Sequence, residues 1–300
     1  MHRWTRRVDT PAAVLVAALA ALALGVAAES GPAPPTSPRA VAGGAPRARG
    51  AALDVAGSGS NVPLTRALAA AWCAGRAGCR VVVHESIGST GAVRALRDDA
   101  IDIGLISRPL TERELRGVAL RVTPYARTPV VLAAHPGTAQ RSLRRADLVA
   151  LVRGARTTWD DGTPAVFLLR ERGDSSQLAL AQAVPGLAAA EEDAQRARRF
   201  RVLFSDADLR YALAGTQGAL GVSDLGGLAL DGPSLVPIAL DGVAPTDENV
   251  AVGRYTITKD LSFVTRPEVR PDARAFVAFA TSPAGAAVIR ATHCLPLGSP

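Results

Sequence analysis

Three short segments of this chain share one chemistry. Each is a Gly/Ser-rich turn that runs straight into a helical pattern: residues 57–64 (GSGSNVPL), 86–93 (SIGSTGAV) and 170–177 (RERGDSSQ). The first turn of a helix has backbone N–H groups without intrahelical partners. The macrodipole adds positive potential there, so hydroxyls at such a turn complete a donor set suited to an anion. One turn of this kind is ordinary in any α/β fold. Three of them, one carrying Arg170, predict a cage for a small oxyanion. A planar guanidinium can hold an oxyanion in bidentate fashion, which lysine cannot reproduce. We therefore expect Arg170 to lie in a cleft, to strengthen anion binding at least tenfold, and to carry little core packing.

Other chemistries have less support. No G-x-S-x-G nucleophile elbow is present, so a secreted hydrolase stands only as the less favoured alternative. His84, His135 and His293 show no ligand spacing with the cysteines, and no metal or cofactor is expected. Cys73 and Cys79 flank a short Gly-containing loop (CAGRAGC). A local disulfide, two free thiols and a weak metal pair all fit that spacing, and an oxidising compartment favours the first. Cys294 is expected buried and unpaired. Trp159 reads as a packing residue, Arg94 and Arg97 as a solvated helix face, and Asp224 as a turn cap in preference to a residue lining the cleft.

The elements that must position the turns alternate along the chain. Short apolar strands are predicted at 52–56, 80–84, 101–106, 118–123, 129–134, 165–169, 202–204, 219–222 and 235–238, with an extended segment at 255–265. Helices are predicted at 63–74, 91–98, 110–116, 145–152, 177–183, 188–198, 206–214, 271–280 and 284–291. Thr111 and Glu114 form a capping-box pattern at the third. The fold class is α/β.

The N-terminus reads as an export signal. Arg3, Arg6 and Arg7 precede an apolar run at 11–26, and Val26-Ala27-Ala28 fits a cleavage site. Residues 1–28 are thus expected to be removed, and to act as a membrane anchor if uncleaved. Arg6-Arg7 hints at twin-arginine export, against which Asp9 counts. No cysteine stands near the cleavage region to take a lipid. Residues 29–50, rich in Pro, Ala and Gly, read as a disordered linker. Six arginines and two acids precede Ala51, so the net charge of +7 falls to +3 for the remainder. That is too mild for a nucleic-acid footprint, and no basic run interleaves with aromatics. Lys259 is the only lysine.

The order of these motifs resembles the phosphate-binding substrate-binding proteins of ABC importers, over most of 53–297. GSGSNVPL is similar to the family's opening turn, SIGSTGAV to its second, IDIGLISRPL to the end of its third strand, and residues 170–176 to its R-x-x-G-S-G-T turn. Residues 153–159 and 218–222 are similar to its F-x-G-x-x-x-x-W and GAIGY elements. The resemblance implies a two-lobe periplasmic-binding-protein type II fold with two hinge crossovers, expected near 125–131 and 224–235. Residues 51–128 and 231–300 would form lobe 1, and 129–230 lobe 2. It implies ligand contacts from Ser60, Asn61, Ser89, Thr90, Ser107, Arg170, Asp174, Ser175 and Ser176. It further implies a secreted or periplasmic monomer that is no enzyme, takes phosphate or a similar oxyanion, and passes it to ABC permease subunits. A sensor or scaffold without transport is the alternative. Asp174 departs from the family pattern: a carboxylate there must cap its helix, pair with Arg170 or Arg172, or accept a proton from the ligand. Ser107 stands where other members have an aspartate acceptor, and a hydroxyl can donate or accept.

Overall fold

The structure is a computed structural model that describes residues 52–230 and 232–297. The expected signal segment and the whole of the expected linker lie outside them. In chain order the elements are β1 (Leu53–Gly57), α1 (Val62–Cys73), β2 (Val81–Val83), α2 (Gly88–Arg97), β3 (Ile103–Ile106), α3 (Glu112–Leu115), β4 (Arg121–Ala134), β5 (Ser142–Leu143), α4 (Arg145–Arg153) and β6 (Val166–Arg170). There follow α5 (Ser175–Ala183), α6 (Leu187–Arg196), β7 (Val202–Leu203), α7 (Asp206–Gly215), β8 (Ala219–Asp224), α8 (Leu225–Leu230), β9 (Val236–Leu240), α9 (Asp247–Ala251), β10 (Thr258–Thr265), α10 (Pro271–Ala280), α11 (Pro283–Arg290) and β11 (Leu295–Pro296).

The strands run in the order β2-β1-β3-β10-β4-β8-β6-β7, with β9 and β11 added along β4 and β5 paired to β9. The path divides into two halves, each with its own core. In the first, Leu53, Val55, Ile103, Leu105 and Phe263 from the strands pack against Leu64, Leu68 and Phe276 from α1 and α10. In the second, Leu132, Phe167, Leu169 and Leu220 pack against Leu148, Leu151 and Leu180. Burial of these apolar faces, at roughly 25 cal/mol per Å², is the main term holding each half.

β4 is shared by both halves. The apolar pattern predicts two strands there, at 118–123 and 129–134. One continuous strand forms instead. Pro124 pairs with Ser262 where the register against β10 shifts, and Pro129 stands where β4 leaves β10 and takes up β8. At both places the ladder tolerates a residue without an N–H.

The outward crossing falls within 125–131, as expected. The return crossing does not fall at 224–235. β9 pairs with the distal end of β4, and Ile238, Leu240, Tyr255 and Ile257 belong to the second core. The chain re-enters the first half at β10, so the second half extends well beyond 230. Pro233 breaks the pattern without ending the lobe.

Local signals behave as their chemistry requires. Thr111 and Glu114 cap α3 reciprocally, and Arg108 beside Glu114 holds that carboxyl down to about 2. Cys73 and Cys79 are joined in a disulfide, and Cys294 is buried and unpaired. Trp159 is buried, its Nε1 donating to the Gly218 carbonyl at 2.9 Å.

On α6, Glu191 is buried in the second half, and burial pushes its carboxyl up to about 7, with the Asp174 carboxylate adding to the effect. Its ordinary value is 4.5, so the folded state holds the proton more tightly than the unfolded state does. The contribution of Glu191 to stability is therefore greatest below about pH 4.5 and falls as the pH rises to about 7, by at most about 3 kcal/mol. Glu191→Gln should flatten this fall and raise the melting temperature at pH 8 while changing little at pH 4.5. Parallel melting profiles for the two proteins between pH 4.5 and 8 would show that Glu191 carries no such penalty.

Candidate functional site

The first and third turns meet at the seam between the two halves, and the second lies beside the first, its Ile87 N–H donating to the Gly57 carbonyl at 3.0 Å. The first follows β1. Gly57, at φ 153°, lies so close to β3 that a Cβ would fall 2.1 Å from the Leu105 carbonyl oxygen. Glycine there lets the chain leave β1 close against β3 and turn into Ser58–Asn61. The third turn follows β6, whose last residue is Arg170, and Asp174 caps α5 by accepting from the Gln177 N–H at 2.9 Å. These are strand C-terminal ends facing helix N-termini, where α/β folds place their ligands.

Serine hydroxyls link the halves. Ser58 Oγ and Ser107 Oγ are 2.6 Å apart, and Ser107 Oγ and Ser175 Oγ are also 2.6 Å apart. Lys259, at the head of β10, lies among them. Its Nζ donates to Ser60 Oγ at 2.5 Å and to Ser175 Oγ at 3.4 Å, and also to Ser176 Oγ. It stands 3.6 Å from an Asp224 carboxylate oxygen and is only 6% exposed.

Arg170, 3% exposed, faces three carboxylates: Glu171 at 3.0 Å, Asp174 at 3.3 Å and Asp206 at 3.3 Å. Burial opposes its charge, and Asp206 and Asp174 outweigh burial, so the guanidinium is held more firmly protonated than usual. Asp206 belongs to the first turn of α7 in the second half, yet Ser60 of the first half donates to it at 3.3 Å. Burial alone would raise its carboxyl; Arg170, Lys259 and Arg210 together hold it below the usual range. Asp174 moves the other way, raised chiefly by burial, with Asp206 adding and Arg170 opposing. Asp174 thus caps its helix and pairs with Arg170, two of the options its position left open.

Of the residues singled out from the sequence, Ser60, Ser107, Arg170, Asp174, Ser175 and Ser176 come together at the seam. Ser89 is behind it, accepting from the Ser107 N–H at 3.4 Å. Two fall elsewhere. The Asn61 side chain turns into the first half, donating to the Ile106 carbonyl at 3.2 Å and the Tyr125 hydroxyl at 3.1 Å. Thr90 is exposed and tied to Glu114 and Arg108, away from the seam. Asp206 and Lys259 join the site without a motif that points to them, and Ser58 joins it from within the first turn. Asp224 does cap α8, accepting from the Gly227 N–H at 2.8 Å, and it also faces Lys259. Among the described residues, no group of three or more His, Cys, Asp or Glu is placed to hold a metal.

The expectation that Arg170 carries little of the fold needs correction. Its removal would leave Asp174 and Asp206 buried without their guanidinium, and breaking a buried pair in this way costs about 3–5 kcal/mol. Arg170→Ala should therefore lower unfolding stability by about that amount in a urea titration. Arg172→Ala, an exposed residue hydrogen-bonded to Gln195, should change stability by less than about 0.5 kcal/mol. Equal losses for the two variants would mean that the buried pairing does not stabilise the protein.

Comparison with known proteins agrees with this architecture. A candidate phosphate ABC transporter substrate-binding protein from Clostridium perfringens, with bound phosphate, superposes with a TM-score of 0.71 at 20% identity, covering 82% of this chain and 100% of its own. A phosphate-binding protein from Stenotrophomonas maltophilia gives 0.61 at 14% identity, covering 82% of this chain and 91% of its own. An ABC-type phosphate transport receptor from Vibrio cholerae gives 0.56 at 17% identity, covering 81% and 99%. These likenesses establish a shared fold. No curated protein matches the sequence. The family model described as the PBP superfamily domain matches residues 35–284, and the chain belongs to that superfamily.

Proposed function

We propose that this protein is an extracytoplasmic solute-binding protein that takes a small oxyanion, phosphate first among them, between its two halves and delivers it to ABC permease subunits. One observation carries the reading. Five hydroxyls, those of Ser58, Ser60, Ser107, Ser175 and Ser176, converge from both halves with the cations Arg170 and Lys259. Hydroxyl donors and paired cations in a water-poor seam are the groups an oxyanion needs to replace its hydration. The three structural relatives with phosphate in their descriptions support the same solute. The export signal read at 1–28 supports a place outside the cytoplasm. No helix among the described residues is long and apolar enough to cross a membrane.

A second reading keeps the fold as a scaffold or sensor that holds no transported solute. The hydroxyls are already bonded to one another and to Lys259, and that observation favours it. Calorimetric titration with phosphate, sulfate and molybdate separates the two. The solute-binding reading expects phosphate to bind at a Kd of about 1 μM or tighter, close to −8 kcal/mol. Ser107→Ala, which removes the hydroxyl bridging both halves, should weaken binding at least about tenfold, the loss of one hydrogen bond to a charged group. No heat with any of the three anions would leave the scaffold reading standing.

A further inference from the structure

Asp206 makes contacts at the seam that belong chemically to a solute. Ser60, on the first anion-type turn, donates to its Oδ1 at 3.3 Å, and the Arg170 guanidinium lies 3.3 Å from the same atom. Its Oδ2 sits directly over Gly59 of that turn: a Cβ on Gly59 would fall 2.0 Å from it. The carboxylate is buried, and it comes from the second half to reach a turn of the first. A carboxylate and an oxyanion compete for the same donors, and two anions cannot share them at contact distance without strong repulsion.

We propose that the Asp206 carboxylate is an internal occupant of the oxyanion position, which a solute must displace, so that Asp206 sets the affinity of the site. This rests on the oxyanion reading given above. Displacement leaves no charge stranded. Arg170 keeps Glu171 and Asp174, and Lys259 keeps Asp224. The displaced carboxylate has Arg210 one helical turn along α7, a buried cation that already contributes to holding it ionised. Closure over Asp206 without solute, and closure over solute with Asp206 turned toward Arg210, are then two states of one seam whose balance phosphate shifts.

The test titrates inorganic phosphate into wild type, Asp206→Asn and Asp208→Asn. Asp208 lies on the same helix turn and is exposed. Asp206→Asn should bind phosphate at least tenfold more tightly than wild type, and Asp208→Asn should match wild type. A second measurement needs no variant. In wild type carrying 13C-labelled aspartate, the phosphate-minus-free infrared difference spectrum should show a shifted aspartate carboxylate stretch. Phosphate binding to wild type with unchanged or weaker affinity in Asp206→Asn overturns this inference alone, as does a difference spectrum silent in the carboxylate region. Binding to Asp206→Asn with none to wild type supports it. Binding to neither overturns the oxyanion reading and this inference together.

Discussion

A charge taken out of water must find its counter-charge inside the protein, and that constraint organises the seam. Arg170 ends β6, Lys259 is the second residue of β10, Asp174 caps α5, Asp206 opens α7 and Asp224 ends β8. All five are buried, and each comes from a different element. An unpaired ion there would cost several kcal/mol, so the ends of these elements cannot drift independently. The pairing Arg170–Asp174–Asp206 fixes the aim of the third turn, and Lys259 with Ser60 and Ser176 fixes that turn against the first. The hydroxyl chain from Ser58 through Ser107 to Ser175 is laid over this charge scaffold.

The strand shared by both halves supplies the complementary freedom. Where β4 passes from β10 to β8, Pro129 pairs with Thr258, and the Val130 N–H donates to the Ile257 carbonyl at 2.8 Å. The outward and return crossings therefore lie side by side on neighbouring rungs of one ladder. Two crossings so close together define a short, nearly common axis, and a hinge of this kind lets the halves open without disturbing either core.

Much of this was legible from residue order. The turns stand out because three of them, one carrying an arginine, occur in one chain, and the Thr111–Glu114 box fixes the short α3 by two reciprocal bonds. What escaped notice was charge in unexpected places. Tyr255, Ile257, Lys259 and Leu261 are alternate residues that all turn inward, so strict period-2 reading would have placed the lysine inside. A lone lysine on a strand reads more readily as solvated, because lysine is seldom buried. Asp206 was hidden by its second role, since an acid in the first turn of a helix is favourable on its own account. At Asn61 and Thr90 the motif fixes the backbone path more firmly than the direction of the side chain: one side chain reaches into the Tyr125 core and the other into the Arg108–Glu114 cluster.

The solitary lysine has a consequence for how the molecule meets reagents. Apart from the amino terminus, the chain offers a primary amine in one place, and that amine is closed between the halves. Buried and ion-paired with Asp224, it should react with an amine-selective reagent far more slowly than an exposed lysine does, so that reagent reports on the state of the seam at a single atom.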